Sequence, residues 1–256
     1  MSDFVRPKKH LGQHFLKDEN IARKIVTSLQ SSVFPVLEVG PGMGVLTKYL
    51  LELEGRDCYF IDTDQESIDY LHRAYPGHAE KIIQGDFLKL NISKLFTGKF
   101  VIIGNFPYNI SSQILFRVVD YRQQVDEVVG MIQKEVAERI ASGPGTKAYG
   151  IMSVILQAYY RIEYLFTVNE TVFIPPPKVK SAVIRLVRND IERLDCDEAL
   201  FFKVVKTAFN QRRKTLRNSL KSFYIDYDRG EIGHLAGKRA EELSVEEFVR
   251  ITRLAI

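Results

Sequence analysis

Between residues 20 and 135, short apolar runs alternate with helical patterns, and this alternation leaves the chain few architectures. The runs are "VLEV" (36–39), "CYFI" (58–61), "KIIQ" (81–84), "FVII" (100–103) and "EVVGMI" (127–132). Strands joined by helical crossovers return to the same end of a sheet, so they pair in parallel and are covered by helices. Two later runs, "RIEYLFTV" (161–168) and "SAVIRLV" (181–187), have no long helix between them. They predict an antiparallel pair closing one sheet edge, hence a mixed, mostly parallel sheet. Beyond Asn189 the pattern is purely helical. The expected organisation is an α/β domain over 1–190 and a small all-helical domain over 191–256, with the boundary near 188–195.

A chain of 256 residues, 45% of them hydrophobic, has material for one sizeable core and a small second domain. A net charge of +4 suits a polyanionic partner without proving one. Cys58 and Cys196 stand far apart, so no disulfide framework is expected, and a reducing cytoplasm is the expected compartment. The N-terminal residues are basic without the apolar stretch of a signal peptide, and no run reaches the roughly 18 residues of a membrane helix. The five histidines lack metal-ligand spacing, so no metal is expected, and nothing calls for more than a monomer.

"VLEVGPGMGVLTKYLLE" reads as a buried strand, a glycine-rich turn and an amphipathic helix. Gly40, Gly42 and Gly44 admit positive φ and let a ligand approach the backbone, and a helix start beyond them would favour negative charge. The spacing is G-x-G-x-G, so a nucleoside site fits better than a dinucleotide site, although NAD remains a competing ligand here. Asp62 follows Gly40 by 22 residues at the end of the second strand, where a carboxylate accepts hydrogen bonds from ribose hydroxyls. Asp86, after the third strand, is placed to accept from an adenine amino group. Each acid has a plainer reading as a turn or helix cap. As an ordered set at the carboxyl ends of strands, the three features resemble the S-adenosylmethionine-dependent methyltransferases of Rossmann-like fold.

"GNFPYN" (104–109) arrives where the fourth strand delivers its loop. An adenine N6 is a poor nucleophile, because its lone pair is delocalised into the ring. Acceptors for its NH2 protons localise that pair and aim it. The Asn105 side-chain oxygen can accept, as can the Pro107 or Phe106 carbonyl, and Tyr108 with a second aromatic can hold the base by stacking. The plain alternative is a structural Asn-Pro turn. "NFPY" resembles the N-[IL]-P-Y motif of adenine-N6 methyltransferases acting on ribosomal RNA, with Phe106 in place of Ile or Leu. "GQHFL" (12–16) is similar to that family's N-terminal cofactor-contacting element, which implies His14 and Leu16 as cofactor contacts alongside Gly40, Gly42, Asp62, Asp86 and Asn105. "FIPPPKVKSAV" (173–183) is similar to its F-x-P-x-P-K-V-x-S-A-V segment, which implies Phe173 as the second aromatic.

The segment 201–222 carries seven basic residues and no acidic one. Projected as one helix, Phe202, Val205, Phe209, Leu216 and Leu220 fall on one side, and Lys203, Lys206, Arg213, Lys214, Arg217 and Lys221 on the other. Arg212 falls within the apolar side, so either the helix breaks near Gln211 or Arg212 turns inward to a partner. The basic side suits RNA phosphates, with Arg212, Arg213, Lys214 and Arg217 as candidate contacts; its plain alternative is a solvated face. Residues 226–247, with Asp226, Asp228, Glu231, Glu241, Glu242, Glu246 and Glu247 against Arg229, Lys238 and Arg239, are expected to face away from RNA.

"AFNQRRKTLRNSL" (208–220) resembles the C-terminal signature of the bacterial small-subunit rRNA dimethyladenosine transferases, and the likeness runs from about residue 8 to 250. It implies dimethylation of two adjacent adenines in the 3′-terminal hairpin loop of 16S rRNA within an immature 30S particle. It also implies a helical last domain that helps choose the site. Two rivals stand beside this reading. One is an Erm-type enzyme acting on large-subunit rRNA. The other is a non-catalytic RNA-binding factor on the same fold, which could have lost the glycine loop or the Asn that are both intact here.

Overall fold

The structure is a computed structural model that describes residues 5–227 and 232–255. Nine strands are described: β1 Phe15–Leu16, β2 Val36–Val39, β3 Cys58–Asp62, β4 Ile82–Gln84, β5 Phe100–Asn105, β6 Val125–Gln133, β7 Tyr160–Val168, β8 Phe173–Ile174 and β9 Ser181–Arg188. The described α-helices are α1 Glu19–Val26, α2 Thr47–Leu50, α3 Gln65–Ala74, α4 Ser111–Asp120, α5 Lys134–Ala141, α6 Ile151–Gln157, α7 Glu198–Asn210, α8 Leu216–Ser219 and α9 Val245–Arg253.

Seven strands form one sheet in the order β4-β3-β2-β5-β6-β9-β7. The pairs β2–β3, β3–β4, β2–β5 and β5–β6 are parallel, and β9 runs antiparallel to β6. The expected mixed, mostly parallel sheet is therefore present. Every residue of β2 is buried, as a central strand covered on both faces requires. The strand order reverses beside β2, which has β3 on one side and β5 on the other. That reversal opens a crevice at the carboxyl ends of these strands. Separately, β1 and β8 pair antiparallel, with Phe15 opposite Ile174 and Leu16 opposite Phe173. This small sheet ties the N-terminal arm to the proline-rich segment.

By internal contacts the chain forms two compact units. One comprises 1–137 with 162–188, and the other 138–161 with 189–256. The second unit thus draws in α6 as well as the C-terminal helices. Its core gathers Phe201, Val204, Val205, Ala208, Leu216, Phe248 and Ile251, all buried. Helix α9 begins with a capping box, in which the Glu247 N–H donates to Ser244 Oγ and Glu247 Oε2 accepts from the Ser244 N–H.

The basic segment is not one helix. Helix α7 ends at Asn210, and α8 begins only at Leu216. The buried side of α7 centres on Phe201, Val204, Val205 and Ala208, with Phe202 only half-buried. The projection shifts because the helix ends at Asn210, so the second half keeps no common phase with the first.

Candidate active site

The crevice is lined by the glycine loop after β2, Asp62 ending β3, Asp86 after β4, and the loop that leaves β5 at Asn105. Gly40 and Gly42 have φ of 73° and 55°. A Cβ at Gly42 would also stand 2.7 Å from the Phe15 ring, so glycine there serves both the turn and the arm that covers it. The Gly42 N–H donates to Asp62 Oδ2 at 3.1 Å, and the Asp64 N–H donates to Asp62 Oδ1 at 2.9 Å. Burial nonetheless pushes the Asp62 carboxyl above its ordinary value, and these backbone bonds pull against it. The Asp62 carboxylate, with about four lone pairs, retains acceptor capacity for a hydroxyl beyond these bonds. Asp86 takes the Leu88 N–H at 2.9 Å, so its turn role and its place on the crevice wall coincide. The expected helix after the glycines is a single turn, Thr47–Leu50, that begins three residues beyond Gly44, so the loop backbone rather than a helix terminus faces the crevice.

The N-terminal arm is docked rather than solvated. Lys8 pairs with Asp64, and the Gln13 amide donates to Asp64 Oδ2 at 3.2 Å. Burial raises the Asp64 carboxyl, but Lys8 and Gln13 outweigh it and hold the group below its usual range. Asp64, not Asp62, caps α3. Gly12 sits against Asn109, whose Oδ1 would be 2.6 Å from a Cβ there. His14 lines the crevice, whereas the Leu16 side chain is buried in the core.

At the end of β5 the Asn105 Nδ2 donates to the His14 carbonyl at 2.8 Å. A carbonyl oxygen only accepts, so this bond commits the amide nitrogen and leaves Oδ1 as the opposite end. The Pro107 carbonyl already accepts from the Ile110 N–H at 3.1 Å, which leaves it one lone pair. The Tyr108 hydroxyl meets Ser181 Oγ at 2.5 Å, and burial pushes its pKa upward against that bond. The Tyr108 ring stacks on His14 with centroids 5.3 Å apart and planes 28° apart. His14 Nδ1 lies 2.7 Å from the Pro175 carbonyl. Phe173 differs from expectation: it is 1% exposed, faces the core cluster and does not line the crevice. Its β1 partner Leu16 is buried with it, while the next residue, Ile174, alternates outward to 41% exposure. The aromatic ring that meets Tyr108 is thus His14, which sequence reasoning assigned only to the cofactor.

A family model for ribosomal RNA adenine dimethylase matches residues 5–256. The chain belongs to the ribosomal RNA adenine dimethylase family. It is 57% identical over 252 residues to "Ribosomal RNA small subunit methyltransferase A" of Parabacteroides distasonis, covering 98% of this chain and 94% of that one. It is equally identical to the protein of that name from Cytophaga hutchinsonii, at 98% and 97% coverage. Among solved structures it resembles a dimethyladenosine transferase from Plasmodium falciparum, with TM-score 0.79, 26% identity and coverage of 93% and 96%. It also resembles the 23S rRNA methyltransferase ErmE, with TM-score 0.73, 25% identity and coverage of 94% and 99%.

The dimethylase takes S-adenosylmethionine as its cofactor, and its crevice fits that molecule. A left-handed glycine loop opens onto it, and two carboxylates able to accept from hydroxyl and amino donors line its wall.

The second unit of the dimethylase holds a hollow lined by Lys147, Arg212, Arg213, Arg239 and Glu241. Arg212 is half-buried. Its Nε lies 3.4 Å from Glu241, and its Nη2 donates to the Thr146 carbonyl at 3.3 Å. Both sequence alternatives hold, since the helix breaks at Gln211 and Arg212 turns to a partner. Arg213, Lys214 and Arg217 are exposed. The Arg217 guanidinium lies 5.4 Å from the centre of the Tyr227 ring, and Lys214 donates to the Gln211 side chain at 2.9 Å. Lys147 and Arg239 join Arg213 from distant segments, which no local charge run announced. Glu241 and Arg239 line this hollow, so the 226–247 segment is not a uniformly acidic face; Asp228, Arg229 and Glu231 lie outside the described residues. Among the described residues no helix is long and apolar enough to cross a membrane.

Proposed function

We propose that this dimethylase converts two adjacent adenines in the 3′-terminal hairpin loop of 16S rRNA to N6,N6-dimethyladenines, acting as a cytoplasmic monomer on an immature 30S particle. The observation that carries this reading is the Asn105 amide, tethered by His14 so that its oxygen is the free end beside the crevice. S-adenosylmethionine, when bound, supplies an electrophilic methyl group on a sulfonium. Gly40, Gly42, Asp62 and Asp86 hold it, with the arm at His14 closing over while Leu16 anchors that arm in the core. Asn105 Oδ1 and the spare lone pair of the Pro107 carbonyl accept hydrogen bonds from the N6 amino group of the flipped adenine. These bonds turn the nitrogen lone pair out of conjugation and toward the methyl. Tyr108 fixes the base plane, held in place by Ser181 through its hydroxyl. Most of the rate then comes from in-line positioning, since no covalent enzyme intermediate is needed. Arg213, Lys214 and Arg217 meet RNA phosphates, while Arg212 shapes that surface from within.

The test is methyl transfer from labelled S-adenosylmethionine to 30S particles lacking the modification, followed by nucleoside analysis. Dimethyladenosine at the adjacent small-subunit adenines is the expected product. Label in 23S RNA alone would move the enzyme to the Erm-type class. No label in either RNA, despite tight binding, would make it a binding factor.

A further inference from the structure

Phe106 occupies a slot whose floor is two glycines on neighbouring strands. Gly104 on β5 and Gly130 on β6 face each other in register. A Cβ at Gly130 would stand 2.5 Å from Phe106 Cε2 and 3.0 Å from Cδ2. A Cβ at Gly104 would stand 2.8 Å from Phe106 Cε1 and 2.4 Å from the Val39 carbonyl oxygen. Contacts that close do not occur between real side chains, so the ring uses the space that both missing side chains leave. The ring is 1% exposed, and close-packed interiors let it move little. The Phe106 N–H donates to the Met131 carbonyl at 3.0 Å, so backbone and side chain are both anchored to β6. Asn105 and Pro107, the two residues read as acceptors for the adenine amine, flank this anchor directly.

We infer that Gly130, which does not line the crevice, is a positioning residue for methyl transfer. With Phe106 it forms a ring-in-slot joint that sets where Asn105 Oδ1 and the Pro107 carbonyl stand. This inference rests on the reading of Asn105 and Pro107 given above. It also accounts for Phe106 where the family motif carries Ile or Leu: the larger ring requires a residue without a side chain opposite it. A misplacement of about 1 Å at a reacting centre costs on the order of a hundredfold in rate.

The experiment compares Gly130→Ala, Phe106→Leu, the double variant Gly130→Ala/Phe106→Leu and the control Gly104→Ala/Phe106→Leu. The readouts are single-turnover methyl transfer to unmodified 30S particles, cofactor dissociation constants and melting temperatures. Gly130→Ala is expected to lose at least tenfold in transfer rate while cofactor affinity stays within about threefold. Trimming the ring in the double variant is expected to restore the rate to that of Phe106→Leu alone. The Gly104 control should not recover, because its clash with the Val39 carbonyl is with backbone. A wild-type rate in Gly130→Ala overturns the inference. So does a double variant that is folded yet no faster than Gly130→Ala, or one that fails to fold while Phe106→Leu folds. Should Gly130→Ala itself not fold, the double variant alone decides: a rate matching Phe106→Leu supports the inference, and a folded double variant at least tenfold slower than Phe106→Leu overturns it. Asn105→Ala, measured alongside, separates the two layers. Full turnover there removes the reading of the loop, whereas an inert Asn105→Ala beside an undiminished Gly130→Ala removes only the slot.

Discussion

The carbonyl oxygen of His14 receives the Asn105 side-chain amide at 2.8 Å, so the N-terminal arm orients the amide at the end of β5 across 91 residues of chain. Asn105→Ala deletes the acceptor and the tether together. The expected result is a loss of roughly a hundredfold or more in transfer rate, as when a preorganised polar group is removed from a transition state. Cofactor affinity should fall only severalfold, as expected from loosening the arm, far less than the rate. Turnover near wild type in a single-turnover assay would contradict the role given to "GNFPYN".

Asp64 gathers the arm through Lys8 and Gln13 and caps α3 at the same time. Asp64→Ala should weaken cofactor binding severalfold by freeing the arm and cost about 1 kcal/mol through loss of the cap. Calorimetric titration reads the first effect, and faster tryptic cleavage at Lys8 and Lys9 reads the release. Because the folded state holds this carboxyl below its usual range, its contribution is present above the ordinary value of 3.8 and is lost as the pH falls through the folded value. Arm docking should therefore be insensitive between pH 6 and 8 and should loosen only in strong acid.

Glu38 is fully buried behind the glycine loop, with the Thr47 hydroxyl donating to it at 2.6 Å. Burial pushes its pKa up from 4.5 to about 8, the Thr47 bond pulls down, and Asp62 adds to the rise. The folded protein thus holds a proton that the unfolded chain releases. The stability that this proton confers is complete below 4.5 and is lost as pH rises toward 8. Glu38→Gln keeps the shape without the titration. Its stability relative to wild type should grow with pH, by up to about 1.4 kcal/mol per unit within that window. Urea unfolding at pH 5.5 and pH 8 measures the difference, and an equal gap at both would contradict a neutral Glu38.

In the second unit, Arg213 and Lys147 share a hollow in which Arg212 is braced by Glu241. Arg213→Glu with Lys147→Glu should weaken rRNA binding and reduce the salt slope by roughly one for each phosphate no longer neutralised. Arg212→Ala should lower the melting temperature instead and change the slope less. The salt dependence of binding to a small-subunit rRNA fragment separates the two. An unchanged slope in the first variant would make this a merely solvated surface.

The strand and crossover pattern was legible from apolar periodicity, because a strand buried on both faces must be apolar at nearly every position. The glycine loop, Asp62, Asp86 and "NFPY" were legible too, since each follows a strand end and local order alone brings strand ends to one edge of a parallel sheet. Contacts between residues far apart in sequence were not legible. Lys8 meets Asp64, Lys147 shares a hollow with Arg213 and Gly130 meets Phe106 only because the tertiary fold brings distant segments together. The burial of Phe173 belongs to the same class, whereas the break near Gln211 was announced by Arg212 falling on the apolar side. The elements and the chemistry at their ends could be read from the chain alone, because they depend on local periodicity and local backbone freedom. Which side chains stay available could not, because burial and hydrogen-bond partners are set by whatever distant segments the fold brings against them.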